Sequence, residues 1–465
     1  MRVTARTVLP VAAVAGLAAL SVAVPTASVA APAASAATLA ATIRIHPMVI
    51  SRFVSQSQPP TEAKCVAMYG VPCYDAAQIQ TAYNEQPLFR AGIDGTGQTI
   101  VIVDSYGSPT IRSDLATFDA QFGLPAPPSF KIIQPAGAVP PYDPSNSDMV
   151  GWAGETTLDV EWSHTMAPGA SILLVETPVS ETEGTAGFPQ IVEAENYVID
   201  HDLGQVISQS FSATEETFPN AASIFALRSA YINAYQHGVT VLAASGDSGA
   251  TDYSNVAGTL YYTYPVTSWP DSDPLVTGVG GTQLQLNAVG QRTAPDRVWN
   301  DTYNTTVNQF IFGDNGPNPL AGGGGKSVIF HRPSYQDGVA DVVGRQRGVP
   351  DIAMSAACSG PVDVYASFGG ESVGWYEYCG TSEATPMFAG IVALADQAAH
   401  HSLGLINPAL YGLSAQHAPG LVDITQGNNT VSFTQNGVFY TVRGFSALRG
   451  YDLASGVGTV NAALF

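Results

Sequence analysis

The sequence predicts an α/β fold in which a mostly parallel central sheet carries helices on both faces. The first observation is a set of short, almost continuously apolar segments, at residues 98–104, 170–175, 205–208 and 238–244. Such segments are typical of parallel strands, because both faces of these strands are buried. The second observation is that stretches of helical character alternate with the apolar segments, at about 155–165, 187–201 and 219–237. Alternation of this kind favours a parallel sheet between two helical layers.

The composition excludes two classes of partner. The chain of 465 residues carries 17 Lys and Arg against 38 Asp and Glu, a formal net charge of −21. A surface of this sign repels polyanions, so we expect no nucleic-acid partner and no binding to anionic membranes. Only 12% of the residues are charged, and the excess carboxyl groups repel one another less in acid, where they take up protons. The balance suits an acidic environment.

The N-terminus has the pattern of a secretory signal peptide. Arg2 and Arg6 precede a mostly apolar stretch, residues 8–24, which Pro25 closes and small residues follow. A membrane anchor is the alternative, but the apolar stretch is short for a span. We therefore expect a secreted, extracellular protein that has no membrane partner once the signal is removed.

The expected domain organisation follows from this reading. We expect cleavage after Ala30 or Ala36, so that residues 1–36 form the signal peptide. Residues 37–73 would be a short N-terminal extension, and residues 74–465 one large α/β domain.

The four cysteines fall into two local groups, and export would permit disulfide bonds between them. We expect the pairs Cys65–Cys73 and Cys358–Cys379, the second lying just before a candidate nucleophile. A metal site built from all four cysteines would normally show CxxC spacing, which the sequence lacks.

Ser382 is the candidate nucleophile. It follows the glycine turn at Gly380 and precedes an apolar, small-residue segment, 388–395, of the kind found in buried helices. A hydroxyl at the start of such a helix is well placed for nucleophilic chemistry, because backbone N–H groups and the helix dipole favour negative charge there. A serine that only caps the helix is the alternative.

Glu155 and Asp159 are the candidate proton-handling groups. They lie four residues apart in a helical stretch, which places both carboxyl groups on one face, one turn apart. If they are buried they would share a proton, and one pKa would rise. Such a carboxyl could accept the proton of a serine in acid. The alternative is a solvated acidic helix start.

Asp247 is the candidate oxyanion stabiliser. It lies in a glycine turn, 245–249, directly after an apolar strand. A protonated carboxyl there could donate a hydrogen bond to a developing oxyanion. The alternative is a turn in which Asp247 bonds only its own backbone. The same Gly-Asp-Ser-Gly run resembles the nucleophile motif of trypsin-like proteases, but those are all-β and need an Ala-Ala-His-Cys context that is absent.

Together these motifs resemble those of the sedolisins, serine-carboxyl peptidases with a subtilisin-like fold. The resemblance covers about residues 74–465 and rests on Gly-Glu-x-x-Leu-Asp-x-Glu at 154–161, Ser-Gly-Asp-Ser-Gly at 245–249 and Gly-Thr-Ser-x-x-x-Pro at 380–386, with four further stretches that match the family in order. It implies that Ser382 is the nucleophile, Glu155 the general acid/base, Asp159 its orienting partner and Asp247 the oxyanion stabiliser. It further implies an acid-active endopeptidase or tripeptidyl peptidase that forms an acyl-enzyme, acts on proteins or peptides and is a monomer.

The resemblance also implies one structural calcium ion near the C-terminus. Carboxylates of Asp423 and Asp452, together with backbone carbonyls of Ile424, Leu448 and Gly450, would supply the oxygen ligands that Ca²⁺ prefers. Two ordinary Asx turns are the alternative.

Two other functions stay open. A subtilisin-type Ser-His-Asp protease would share the fold, with Asp104 at the end of the first strand and either His164 or His237 as base. A catalytically silent binding protein of the same fold is the second. Two departures from the family favour it, since residues 37–73 are short for a prosegment and Ser212 stands where the substrate-binding strand usually has a glycine.

Overall fold

The computed structural model describes residues 50–465. The expected signal peptide, residues 1–36, lies outside the described residues. The strands, in chain order, are β1 (Ile50–Ser55), β2 (Thr99–Ser105), β3 (Phe130–Ile133), β4 (Ser171–Thr177), β5 (Val206–Gln209), β6 (Ala213–Thr214), β7 (Thr240–Ala244), β8 (Ser268–Trp269), β9 (Thr277–Gln283), β10 (Arg297–Val298), β11 (Gly325–His331), β12 (Gln346–Val349), β13 (Ile352–Ser355), β14 (Val362–Ala366), β15 (Gly374–Cys379), β16 (Leu421–Val422), β17 (Val431–Gln435), β18 (Val438–Val442) and β19 (Thr459–Val460).

The α-helices of the same residues are α1 (Glu62–Tyr69), α2 (Ala76–Ala82), α3 (Gln86–Arg90), α4 (Ile111–Phe122), α5 (Ser147–Met166), α6 (Phe188–Asp200), α7 (Ala221–Leu227), α8 (Ser229–His237), α9 (Thr305–Ile311), α10 (Ala340–Val343), α11 (Thr381–Ala399) and α12 (Asn407–Ala415). No helix in the described range is both long and apolar enough to cross a membrane.

The central sheet has the strand order β3-β4-β2-β5-β7-β9, with β13 and β10 beside β9. Every pairing is parallel except that of β10, which runs antiparallel to β9. The four apolar segments of the sequence are β4, β2, β5 and β7, adjacent in the sheet, so the predicted parallel sheet is confirmed. Strand order reverses around β2, with β4 on one side and β5 on the other. In open α/β sheets, ligands bind at the carboxyl edge beside such a reversal.

Helices cover both faces of the sheet, as the sequence predicts. Alternate residues of β2 point into two separate cores, Ile100 and Ile102 into one, Val101 and Val103 into the other. This alternation follows from the two-residue repeat of a strand, whose successive side chains lie on opposite faces. The first core contains α5 and α11, and the second contains α6 and α8. The sheet therefore lies between two helical layers.

Helices α5 and α11 pack tightly against each other, and this contact positions the site. In α5 every residue from Met149 to Met166 is buried, so the helix has no solvated face. Its start is fixed by Asn146, whose side chain accepts hydrogen bonds from the N–H groups of Asp148 and Met149. A Cβ at Gly390 of α11 would lie 2.4 Å from the Cβ of Met166, so the absence of a side chain there permits the close approach.

The described part of the N-terminal extension packs onto the large domain. Strand β1 pairs antiparallel with β15, whose other neighbour is β14. Both expected disulfide bonds are confirmed, Cys65–Cys73 within the extension and Cys358–Cys379 at the end of β15. The second bond fixes the segment from which the chain enters α11.

Candidate active site

Ser382 lies in the first turn of α11 at the carboxyl edge of the sheet, and its side chain is buried. The N-cap position belongs to Gly380, whose φ of 127° brings the chain sharply from β15 into the helix. The capping interpretation of Ser382 is therefore wrong, because a different residue occupies that position. The Ser382 hydroxyl lies beside the Glu155 carboxyl and lowers the pKa of that glutamate, against the larger effects of burial and of neighbouring charges.

Glu155 and Asp159 lie in the middle of α5, and both side chains are completely buried. The interpretation as a solvated helix start is therefore wrong. Burial is the main cause that raises both pKa values well above the ordinary range, and the Asp159 charge raises that of Glu155 further. Contact with Glu155 in turn lowers the pKa of Asp159, against the larger effect of burial. Two carboxyl groups this close cannot both ionise at low cost, so the pair shares a proton.

Asp104 is a third buried carboxyl group beside this pair, at the end of β2. Burial raises its pKa to about 7, while a hydrogen bond from Thr156 opposes the shift. Its charge in turn raises the pKa of both Glu155 and Asp159. The sequence analysis considered Asp104 only as the aspartate of a subtilisin-type triad. In the structure it lies beside Glu155 and Asp159.

Asp247 reaches the same edge from the turn after β7 and contacts the start of α11. Its Oδ1 accepts two hydrogen bonds from Thr381, one from the backbone N–H at 2.7 Å and one from the hydroxyl at 2.8 Å. Its Oδ2 is buried and has no hydrogen-bond partner in the described chain. Burial raises the pKa of Asp247 to about 8. The interpretation that Asp247 bonds only its own turn is therefore wrong.

This arrangement leaves one oxygen of Asp247 free to carry a proton. Because Oδ1 receives both donors of Thr381, the proton of a neutral Asp247 belongs on Oδ2. An O–H group there can donate to an oxygen beside Ser382, which follows Thr381 directly in the chain. The sequence analysis did not predict that Thr381 contacts Asp247. Its position in the Gly-Thr-Ser motif, directly before Ser382, was a signal that could have indicated this.

Ser210, directly after β5, is a second residue that sequence reasoning missed. Its hydroxyl donates a hydrogen bond of 2.8 Å to Asp159 Oδ1, and its carbonyl oxygen lies 3.4 Å from the Ser382 hydroxyl. The neighbouring Ser212, which stands in place of the expected glycine, is buried.

The two histidines considered as alternative bases are engaged elsewhere. His164 contacts the Pro125 carbonyl at 2.7 Å, and its Nε2 lies 3.4 Å from Asp119 Oδ1. Burial lowers its pKa to about 4. His237, at the end of α8, contacts the Asn233 carbonyl at 3.0 Å and lies at the surface. The geometry thus favours a carboxyl group rather than an imidazole as the base for Ser382.

The five expected calcium ligands come from two segments, 423–424 and 448–452, which a contact between Asp423 and Gly450 joins. Both carboxylate oxygens of Asp423 accept from the Gly450 N–H at 3.1 Å, and Asp452 Oδ2 accepts from the Leu448 N–H at 2.9 Å. The carbonyl oxygens of Ile424, Leu448 and Gly450 accept no hydrogen bond within the described chain. Two carboxylates and three available carbonyls fit the all-oxygen donor set that Ca²⁺ takes.

The Asx-turn alternative describes only one of the two aspartates. Asp452 does accept from the N–H groups of Ala454 and Ser455, as in an Asx turn. Asp423 instead contacts a residue 27 positions further along the chain. Among the described residues, the one cluster of three side chains spaced for a metal is Cys65, Cys73 and Glu377, and its two cysteines are disulfide-bonded.

Comparisons with known proteins identify the family of the chain. The model of the subtilase family matches residues 147–415, more than half of the chain. Kumamolisin of Bacillus sp. (strain MN-32) is 32% identical over 413 residues, which cover 87% of this chain and 63% of that protein. Sedolisin of Pseudomonas sp. (strain 101) is 29% identical over 392 residues, covering 84% and 58%. Human tripeptidyl-peptidase 1 is 28% identical over 326 residues, covering 67% and 51%.

A solved structure gives the same result. Pseudomonas sedolisin, described as a serine-carboxyl proteinase in complex with two molecules of pseudo-iodotyrostatin, superposes with a TM-score of 0.68 at 25% identity. The match covers 84% of this chain and 96% of that one. The chain spans between half and two thirds of the length of the three curated relatives named above.

The fold and the matching family model define the class as that of proteins with a subtilisin-like α/β fold. Within that class, the chain belongs to the subtilase family, and the relatives that it resembles include kumamolisin and sedolisin.

Proposed function

We propose that this protein is a secreted, acid-active serine-carboxyl peptidase that hydrolyses peptide bonds through an acyl-enzyme. The observation that supports this most is the completely buried pair of carboxyl groups of Glu155 and Asp159, which have raised pKa values and lie beside the Ser382 hydroxyl. A shared proton leaves one carboxyl able to act as a base in acid, where an imidazole would already be protonated.

The proposed reaction begins when Ser382 Oγ attacks the scissile carbonyl carbon. The serine proton passes to Glu155, and the carbonyl electrons move to the oxygen, which accepts a hydrogen bond from Asp247 Oδ2–H. The tetrahedral intermediate collapses as the C–N bond breaks, and Glu155 donates its proton to the leaving amine. Water then attacks the acyl-enzyme and gives a proton to Glu155, which returns it to Ser382 Oγ as the acid product leaves.

Substitutions in the triad test this proposal. Ser382→Ala removes the nucleophile, and Glu155→Gln keeps the shape of the side chain but cannot accept the proton. Each is expected to abolish hydrolysis of a denatured protein at about pH 4. Because groups that act as a unit are not additive, the double variant should be barely worse than either single one. Glu85→Gln is the matched control, since Glu85 is also a completely buried glutamate with a raised pKa.

Three results would contradict the proposal, and two of them would favour one of its alternatives. Hydrolysis that survives Ser382→Ala would assign the activity to another site. Activity that peaks at about pH 8 would favour a histidine base. A folded wild-type protein without activity between pH 3 and 5 would favour the silent binding protein. Peptides with blocked and free amino termini separate an endopeptidase from a tripeptidyl peptidase, because only the first accepts a blocked terminus.

We further propose that the protein is a monomer with one structural calcium ion, held by the two aspartates and three carbonyls described above. The ion would neutralise two carboxylates and connect segments that are distant in sequence. Its proposed role is structural, and none of the reaction steps above involves it.

A further inference from the structure

Ser210 contacts two parts of the site at once. Its Oγ lies 2.8 Å from Asp159 Oδ1 and 3.4 Å from the backbone carbonyl of Ser382. A hydroxyl has one proton to donate, and the shorter contact is the stronger bond, so the proton points at Asp159. The carbonyl oxygen of Ser210 in turn faces the Ser382 hydroxyl at 3.4 Å.

The contact determines what each oxygen of Asp159 can do. Oδ1 accepts the proton of Ser210, while Oδ2 is buried and accepts no hydroxyl or amide bond in the described chain. The proton that Asp159 shares with Glu155 therefore belongs at Oδ2. Besides the proton shared with Glu155, the Ser210 hydroxyl is the donor that fixes the rotation of this buried carboxyl group in the described chain.

We propose that Ser210 is a positioning residue that fixes the orientation and the charge of Asp159, so that the shared proton lies towards Glu155 while Ser382 is activated. This inference rests on the proposed peptidase function and extends it to a residue outside the Ser-Glu-Asp triad. Ser210 follows β5 at the place where the strand order reverses. This position in the sheet lets Ser210 contact Asp159 of α5 and Ser382 of α11 at the same time.

The inference predicts a shift of the pH profile. Burial and the charge of Asp104 raise the pKa of Asp159, and the Ser210 hydroxyl, which donates to the ionised form, lowers it. Removal of the donor raises the pKa of the pair, and the singly protonated pair then forms at higher pH. Because a hydrogen bond to a charged group is strong, we expect both limbs of the profile to move upward by about one pH unit.

Ser210→Ala tests this, with Ser208→Ala as the matched control. Ser208 lies two residues earlier in β5, is equally buried, and its hydroxyl has no hydrogen-bond partner in the described chain. We expect Ser210→Ala to lower kcat about 10-fold at the wild-type optimum, to leave KM unchanged and to shift the profile upward. Ser208→Ala should leave the profile in place. A uniform loss of kcat without any shift would overturn the inference.

A second measurement does not depend on activity. In a Ser382→Ala background, Ser210→Ala should lower the melting temperature more at pH 7 than at pH 4, because the hydrogen bond favours ionised Asp159. With Asp159→Asn already present, that dependence on pH should disappear. A pH-independent difference would refute the role of Ser210 even in a protein without peptidase activity. Failure of the proposed function alone would leave this stability result intact.

Discussion

Asp247→Asn is expected to make the protein more stable at neutral pH while leaving its stability in acid almost unchanged. The substitution conserves shape. The amide oxygen can accept both hydrogen bonds of Thr381, and the amide nitrogen replaces the O–H group of Oδ2 as a donor. What the variant loses is only the ability to ionise.

The magnitude follows from the raised pKa. Burial raises the pKa of Asp247 from 3.8 to about 8, so the native carboxyl stays neutral at pH 7 while the unfolded one ionises. The native state then binds more protons than the unfolded state, and the free energy of unfolding falls as pH rises between these two values. At 1.36 kcal/mol for each pH unit, the loss by pH 7 is about 4 kcal/mol at most. Asparagine removes this loss.

Melting curves at pH 3.5 and pH 7, recorded in a Ser382→Ala background to prevent self-digestion, measure the effect. For a chain of this size, about 1 kcal/mol corresponds to about 1 °C, so the variant should melt up to about 4 °C higher than its parent at pH 7. At pH 3.5 the variant and its parent should have the same melting temperature. Asp341→Asn, at an exposed position, is the control. A difference that is the same at both pH values would refute the neutral, buried carboxyl.

Three further outcomes are expected. Thr381→Val removes the hydroxyl that fixes Asp247 Oδ1, so kcat at acid pH should fall about 10-fold with little change in KM; an unchanged kcat would contradict this. A calcium chelator at neutral pH should lower the melting temperature of the wild type, but not that of Asp423→Asn; equal melting with and without chelator would contradict the site. Replacing Cys358 and Cys379 by serine should cost about 3 kcal/mol of stability, measured by urea unfolding, because their bond closes a loop of 21 residues. A loss below about 1 kcal/mol would show that the loop is already constrained.

Much of the fold follows from local sequence pattern. The four apolar segments became adjacent parallel strands, because a strand buried on both faces needs apolar residues at every position. Helix α5 begins eight residues before the predicted stretch, at Ser147. Its first two turns contain two glycines and lack a clear polar face, so periodicity gave no signal there. The third predicted helix, 219–237, is divided at Arg228 into α7 and α8.

The sequence by itself determined which residue types could carry the chemistry. The spacing of Glu155 and Asp159 places them one helical turn apart in any helix, and the resemblance of three motifs suggested their roles. Both disulfide pairs also followed from proximity along the chain. These inferences succeeded because they depend on neighbours within a few turns of the backbone.

Only the tertiary structure decided how those groups behave. A carboxyl pKa depends on burial and on charges through space, and here Asp104, Ser210 and Thr381 arrive at the site on three elements that the sequence separates by many residues. No local pattern shows that α5 is buried on all sides, or that Asp247 Oδ2 has no hydrogen-bond partner among residues 50–465. The folded sheet gathers these side chains at one edge and excludes water from them. Burial at this edge therefore raises the pKa values of the carboxyl groups, so that they keep their protons to higher pH than exposed carboxyl groups do.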